Sequence, residues 1–198
     1  MSAKQMNKMT LYVIPIAIAL NIVVSNIVFA LKLPIWLDSI GVVLTAVISG
    51  FWPATIVGVI TGLASLITNP SNIFYIPLFV ITGGVATILS HYNGYSTFLR
   101  SLLSGIIGGI TTGVSGSLIT IIVYHGLSST GTGIIAGLLR QIGAPNWLAA
   151  MSAVSGDITD KVITALVVFY ILIALPQRTL AKFPNGEKYL HSRQKVTK

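Results

Sequence analysis

Cysteine and charge are what this sequence has least of. None of its 198 residues is cysteine, which excludes disulfide bonds, thiolate metal ligands and a cysteine nucleophile. Only 8% of the residues are charged and 54% are hydrophobic, whereas a soluble domain carries about 25% charged residues. A soluble chain of this size could not bury so much apolar surface, so the composition predicts an integral membrane protein with one membrane domain.

Carboxylates are also scarce, and their scarcity argues against an enzyme. The chain has four acidic residues, and one of them, Glu187, follows the last apolar run. No His-x-x-x-His, paired-carboxylate or Ser/His/Asp pattern occurs, and no Gly-Lys-Ser/Thr phosphate loop, so acid–base catalysis and ATP hydrolysis have few groups to use. We therefore expect a binding protein with no metal and no cofactor of its own.

Six apolar runs predict an all-α membrane protein, a bundle of six transmembrane helices. A span needs roughly 20 apolar residues, and two of the six are short. We expect those two to form a hairpin of tilted helices, the alternative being one long broken helix. Residues 1–178 are predicted to be the membrane domain and residues 179–198 a basic cytoplasmic tail. The six runs are Met9–Leu31, Ser39–Gly50, Pro53–Thr68, Ile73–Ser90, Leu99–Tyr124 and Asp157–Leu175.

The distribution of positive charge predicts that both termini are cytoplasmic. That orientation gives the inner side nine Lys and Arg residues and leaves three for the outer side, as the positive-inside rule requires. The nine are Lys4, Lys8, Arg100, Arg178, Lys182, Lys188, Arg193, Lys195 and Lys198, and the three are Lys32, Arg140 and Lys161. A basic tail beside a span is typical of a topology signal or a contact with anionic lipid, so we expect no nucleic-acid partner.

The same orientation gathers three connections on the outer face. They are the loop around Asp38, the turn Asn69–Asn72 and the long connection His125–Gly156. The first lies in Leu33-Pro34-Ile35-Trp36-Leu37-Asp38-Ser39-Ile40-Gly41, where Pro34 ends a helix and Asp38 suits an N-cap position. This loop is either capped at the membrane surface or closes over a ligand. A connection of about 30 residues without a span is usually functional.

Asp157 and Lys161 stand four residues apart at the start of the sixth run. This spacing favours an ion pair on one helix face, so the two residues form either a self-paired helix start or part of a functional site, since ionisable groups in a span are often functional.

Two rows of small residues have open interpretations as well. Gly105, Gly109 and Gly113 recur every four residues. This spacing favours close helix packing; the alternative is a hinge or a wall against which a ligand lies. In the first run, Ala17, Asn21 and Ser25 form a stripe with Ala19 beside it. This stripe faces either the rest of the bundle or another protein.

Four stretches of the chain resemble the substrate-binding S components of energy-coupling factor (ECF) vitamin transporters. They are the Leu33–Gly41 segment, Gly50-Phe51-Trp52-Pro53-Ala54, the turn Asn69-Pro70, and Asp160-Lys161 leading to Leu175-Pro176. The resemblance covers about residues 11–178. It implies a multi-pass protein of a bacterial plasma membrane that captures a vitamin outside and delivers it inside.

The resemblance also implies partners and a docking face. An S component docks on a transmembrane scaffold, the T component, which carries two ATPase subunits with their ATP and Mg. The family often uses an Ala-x-x-x-Ala stripe on the first helix for docking. The nearest match here is Ala17-x-x-x-Asn21, so the implied docking residues are Ala17, Ala19, Asn21 and Ser25.

The pocket that the family places near the outer surface maps onto ten residues of this chain. Among vitamins, Arg140 and Lys161 would suit the carboxylate of pantothenate, which is the best match. Hydroxymethylpyrimidine and pyridoxine are alternatives that would rely on aromatic stacking and leave the cations to pair with Asp157 and Asp160. A stand-alone secondary transporter is a further alternative, and it would need a carboxylate at mid-membrane. The ten residues are Trp36, Asp38, Asn69, Asn72, Tyr75, Tyr124, His125, Arg140, Trp147 and Lys161.

Overall fold

The computed structural model describes residues 6–31, 33, 35–125, 139, 141–143 and 145–190. Over these residues the protein consists of helices and connections, without a β-strand. The α-helices are α1 (Lys8–Ala30), α2 (Ile40–Ser49), α3 (Phe51–Ser65), α4 (Ile76–His91), α5 (Phe98–Tyr124), α6 (Asn146–Met151), α7 (Ala153–Ala174) and α8 (Gln177–Leu180). The described residues also include two 3₁₀ helices, Pro70–Tyr75 and Gly186–Tyr189.

Among the residues that the structure describes, three helical segments are long and apolar enough to cross a membrane. They are α1, the continuous segment Pro70–His91 that ends with α4, and α5. Helices α2 and α3 are apolar but shorter, and α7 has 22 residues with three charged side chains among them. An all-helical chain with these segments is consistent with a membrane protein.

Helices α2 and α3 form a hairpin that packs on α1. The chain reverses at Gly50, whose φ of 93° is favourable only for glycine. Buried Asn21 of α1 holds both arms, because its Oδ1 accepts from the Gly41 N–H (2.6 Å) and its Nδ2 donates to Thr61 Oγ1 (3.1 Å). The Thr10 and Ser49 hydroxyls meet at 3.0 Å near the reversal. The hairpin prediction is therefore confirmed over the single broken helix.

The connection between α1 and α2 turns back into the bundle. Asn21 of α1 binds Gly41 at the start of α2. Helix α1 ends at Ala30, nine residues after Asn21, which corresponds to about 13 Å along the helix. The described part of the connection must therefore descend from the end of α1 to about the middle of that helix before it reaches Ser39. We call residues 35–39 the re-entrant loop.

Helices α5 and α7 pack antiparallel with their backbones in close contact. A Cβ atom on Gly105 would lie 2.5 Å from Val162 Cα, and one on Gly113 would lie 2.9 Å from Val154 Cα. Gly109 meets Ile158 in the same way. The packing interpretation of this glycine row is confirmed, and the contact places the first half of α7 beside the middle of α5.

The docking interpretation of the α1 stripe is wrong for two of its residues. Ala17 and Asn21 are 1% and 0% exposed, because Ala17 packs against Gly41 and Asn21 binds the α2–α3 hairpin. Ala19 is exposed, and the Ser25 hydroxyl donates to its own helix at the Ile22 carbonyl. The stripe thus faces the bundle at Ala17 and Asn21, where no partner can reach it.

Residues 177–190, which we call the C-terminal strap, pack against one end of the bundle. Leu180, Phe183 and Tyr189 are buried there, and the Asn185 N–H donates to the carbonyl of Ile48 at 3.0 Å. The predicted boundary after residue 178 is therefore not a structural boundary. We call the end of the bundle that the strap covers the strap end. We call the opposite end, where α3 and α5 end and α4 begins, the mouth.

Replacing Asn21 with alanine is expected to lower the free energy of unfolding by about 1–3 kcal/mol, because the buried N–H of Gly41 loses its acceptor. Chemical denaturation in detergent measures the change. Asn26→Ala is the matched control, since Asn26 lies on the exposed face of α1. Equal losses in both variants would contradict the bridging role of Asn21.

Candidate functional site

A buried ion pair lies at the centre of the candidate site. Lys161 Nζ is 2.5 Å from Asp160 Oδ2, and the two side chains are 8% and 0% exposed. Lys161 also donates to Ser39 Oγ at 2.9 Å. These are adjacent residues of α7, and charged neighbours in an apolar helix are costly unless they are paired and hydrogen-bonded. Here both conditions are met.

The second carboxylate oxygen of Asp160 holds the re-entrant loop. Asp160 Oδ1 accepts from the backbone N–H groups of Trp36 (3.0 Å) and Leu37 (2.5 Å). Non-helical backbone inside a membrane protein needs such partners because lipid supplies none. Leu37 has a φ of 47°, a left-handed conformation that is unfavourable for leucine and persists where the surroundings enforce it. Asp160 therefore joins α7 to a strained loop.

Asp38 and Asp157 complete the charged group. Both carboxylates lie close enough to Lys161 and Asp160 to interact with them electrostatically. The described residues of this group thus comprise three carboxylates and one ammonium. The ammonium of Lys161 already contacts Asp160 and Ser39, so it is not free to bind an anionic ligand without losing one of these partners.

Two sequence predictions about these residues are wrong. Lys161 forms its ion pair with the neighbouring Asp160, and Asp157 lies in the second turn of α7, which begins at Ala153, rather than at the start of the helix. Asp38 does not cap α2: Ser39 is the N-cap residue and makes no capping hydrogen bond with its side chain. The predicted site at the edge of the membrane lies instead beside the middle of α5.

A small, partly open cavity of about 20 Å³ borders Lys161 on the side of the strap end. It is lined by residues of α2, α4, α5 and α7 and by Tyr95 from the α4–α5 connection. Thr82, Ser104 and Thr112 contribute hydroxyl groups to it. A space of this size accommodates about one water molecule, so this cavity does not hold a vitamin in the conformation observed.

A second group of predicted residues forms an aromatic cluster at the mouth. The rings of Tyr75 and Tyr124 stack with centroids 5.6 Å apart and planes at 9°, and Phe74 meets Tyr124 edge-on at 6.0 Å. The Tyr124 hydroxyl donates to the Ser71 carbonyl, and the Tyr75 hydroxyl lies 2.8 Å from Thr120 Oγ1. The cluster ties the start of α4 to the end of α5.

The structure separates these two groups along the bundle axis. Ile158 packs on Gly109 of α5, whereas the aromatic cluster surrounds Tyr124 at the end of α5. Fifteen residues of helix correspond to about 22 Å. The predicted site residues therefore form a charged group at mid-depth and an aromatic group at the mouth, rather than one compact pocket.

The remaining predicted residues have local roles or lie elsewhere. The Asn69 side chain accepts from the Ser71 N–H at 3.1 Å, and Asn72 Nδ2 donates to Ser65 Oγ at 3.3 Å, so both order the turn before α4. His125 ends α5 in a left-handed conformation, and Trp147 on α6 is 59% exposed. Arg140 lies outside the described residues.

Sequence reasoning placed Asp160 outside the site, although it makes the most contacts in the charged group. Its position beside Lys161 in an otherwise apolar helix was the available signal, because such a pair must be satisfied internally. Nothing in the sequence around Ser39 indicated that its hydroxyl accepts a hydrogen bond from Lys161. Within the described ranges, no cluster of three or more His, Asp or Glu residues is placed to hold a metal ion.

Comparison of the chain with protein-family models, curated proteins and solved structures gives no match. A functional assignment therefore depends on the residues and on the geometry described above.

Proposed function

We propose that this protein is the substrate-capture S component of an ECF-type importer in a bacterial plasma membrane. It binds a water-soluble vitamin that enters at the mouth, and it delivers the vitamin inward with energy from two partner ATPases on a transmembrane scaffold. One observation carries the proposal: the re-entrant loop is held at mid-depth by Asp160. Non-helical backbone at that depth is typical of ligand sites in membrane transport proteins.

The charged group supports a ring-containing vitamin with little negative charge, such as pyridoxine or hydroxymethylpyrimidine, over pantothenate. Lys161 is occupied by Asp160 and Ser39, so a ligand carboxylate would have to displace a buried partner. A ligand carboxylate at this position would also lie near the side chains of Asp38 and Asp157, which offer no further cation to it. The aromatic cluster of Tyr75 and Tyr124 lies about 22 Å from the charged group along the helix axis, too far for one vitamin to contact both. In this proposal the cluster is a first contact at the mouth, where a heteroaromatic ring can stack before the vitamin reaches the charged group. Pantothenate remains the alternative if Arg140 supplies an additional cation.

A stand-alone secondary transporter is the second candidate function. The observation that favours it is the depth of Asp157 and Asp160, beside the middle of α5, since coupling carboxylates of such transporters lie near the bilayer midplane. The two candidates differ in their partners. An S component co-purifies with a scaffold and two ATPases and imports only with ATP, whereas a secondary transporter imports alone in response to an ion gradient.

Native mass spectrometry of the detergent-purified chain, incubated with a panel of vitamins, tests the proposal. We expect one vitamin with a heteroaromatic ring to be retained at 1:1 stoichiometry and pantothenate to be retained weakly or not at all. Retention of pantothenate alone would reverse the choice of ligand. Failure of every vitamin to bind, together with uptake by the isolated chain in liposomes, would favour the secondary transporter.

Tyr124→Ala is expected to weaken binding of the ring-containing vitamin about tenfold, equivalent to about 1.4 kcal/mol, because a stacking face is lost. Tyr124→Phe retains the ring and should bind within about twofold of the original protein. Tyr12→Ala is the control, since Tyr12 is exposed on α1. Isothermal titration measures the three affinities. Unchanged affinity in Tyr124→Ala would exclude the aromatic cluster from the binding site.

A further inference from the structure

The C-terminal strap is a folded element with several fixed attachments. Besides its three buried apolar side chains, it accepts a hydrogen bond from Asn7 Nδ2 at the Lys182 carbonyl (2.6 Å). The Tyr189 hydroxyl lies 2.7 Å from Ser90 Oγ at the end of α4. The strap is thereby fastened to the start of α1 and to the ends of α2 and α4. Any groups on its outer surface are held in place relative to the bundle.

The outer surface of the strap is basic. Arg178, Lys182 and Lys188 are exposed, and Glu187 is the one carboxylate among the strap residues. Lys188 Nζ lies 3.4 Å from His91 Nδ1. Within the described residues, the ion pair that the structure contains is Lys161–Asp160, far from the strap. The three cations of the strap are therefore not neutralised by an ion pair within this part of the chain.

Two further cations stand at the strap end in positions that are unfavourable for an isolated helix. Lys8 is the first residue of α1, and Arg100 lies in the first turn of α5. A helix N-terminus carries partial positive charge and favours anions, and neither first turn contains an acidic residue. Both side chains are exposed. The positions of Lys8 and Arg100 become favourable if anions that belong to another molecule surround the strap end.

We propose that the C-terminal strap is a preformed platform that binds the phosphate groups of anionic phospholipids in the leaflet around the strap end. Phosphates at a membrane surface form a dense layer of negative charge that matches a fixed array of exposed Lys and Arg side chains. The burial of Leu180, Phe183 and Tyr189 keeps this array at the end of the bundle. This assignment does not depend on the vitamin or on the partner ATPases.

The test compares two triple variants of the full chain that lose the same charge. The strap variant is Arg178→Gln/Lys182→Gln/Lys188→Gln, and the matched control is Arg193→Gln/Lys195→Gln/Lys198→Gln, which follows the strap. Each protein is incorporated into nanodiscs of phosphatidylcholine with a minor fraction of phosphatidylglycerol. Native mass spectrometry then counts the phosphatidylglycerol molecules that each protein retains.

We expect the strap variant to lose retained phosphatidylglycerol about tenfold and the control variant to stay within about twofold of the original protein. Equal losses in both variants would overturn the proposal, because net charge alone would then explain binding. Full retention by the strap variant would overturn it too, as would displacement of the lipid by submillimolar inorganic phosphate.

In phosphatidylglycerol nanodiscs, backbone amides of residues 177–190 should exchange hydrogen more slowly than in pure phosphatidylcholine, and unchanged exchange would contradict binding at the strap.

Discussion

Replacing Asp160 with asparagine is expected to lower the free energy of unfolding by about 3–5 kcal/mol, because the change leaves Lys161 charged and buried without its carboxylate. The asparagine oxygen can still accept from Trp36 and Leu37. Its NH₂ group would then face the Lys161 ammonium, and two donors cannot pair. Unfolding in detergent, followed by circular dichroism against denaturant, measures the loss.

Asp157→Asn is the matched control for this variant. It makes the same chemical change three residues earlier in α7, and the ion pair with Lys161 stays intact. We expect a change within about 1 kcal/mol, because removing Asp157 also removes its repulsion from Asp160. Similar losses in both variants would show that overall charge, and not the Asp160 contacts, stabilises this region.

The double variant Asp160→Asn/Lys161→Met separates the ion pair from the loop contact. Removing both charges avoids an unpaired buried ion, and the asparagine oxygen remains as acceptor for the loop. We expect it to recover at least half of the stability that Asp160→Asn loses. A double variant less stable than the single one would mean that Lys161 stabilises the fold independently of Asp160.

Replacing Gly105 with alanine is expected to destabilise the protein by about 1–3 kcal/mol through overpacking. The new Cβ would lie 2.5 Å from Val162 Cα and 2.8 Å from the Lys161 carbonyl oxygen. Both of these neighbours are backbone atoms, which cannot rotate away as a side chain can. Helices α5 and α7 must therefore separate, and Lys161 moves with α7. Ligand affinity should fall together with the melting temperature.

Gly108→Ala is the control on the same helix. Its Cβ would find Lys161 Cβ at 3.8 Å, an ordinary contact. Alanine is a better helix former than glycine by about 0.5–1 kcal/mol, so this variant should be as stable as the original protein or slightly more so. Differential scanning fluorimetry of both variants, with and without the vitamin, measures the contrast. Equal melting temperatures for the two variants would contradict the backbone contact between α5 and α7.

Part of the candidate site followed from the sequence because it depends on residue type alone. Lys161 in an apolar run was expected to be paired or functional, and the structure pairs it with Asp160. Tyr75 and Tyr124 were named only because the family resemblance implied them, and the structure stacks their rings on each other. The predicted partner of Lys161 was wrong: Asp160, and not Asp157, forms the ion pair, and Asp160 is also bound by the N–H groups of Trp36 and Leu37, which lie far away in the chain.

The inward face of α1 shows why helix orientation could not be predicted. In a soluble protein the apolar face of a helix points to the core. In a membrane protein, lipid and protein interior are both apolar, so the stripe of Ala17 and Asn21 suited the bundle and a partner equally. Only the positions of Gly41 and Thr61, 20 and 40 residues further along the chain, reveal that Asn21 faces inward.

By itself, the sequence determined that the chain is helical and strongly apolar and placed its long helices to within a few residues, because apolar runs and helix breakers act over a few neighbouring residues. The tertiary structure alone decided the depth of the charged group, the descent of the re-entrant loop and the folding of the strap onto the bundle. Each of these depends on contacts between distant residues, such as Asp160 with Trp36 and Tyr189 with Ser90. Buried polar groups must find partners wherever the chain brings them, and local sequence does not specify which partners those are.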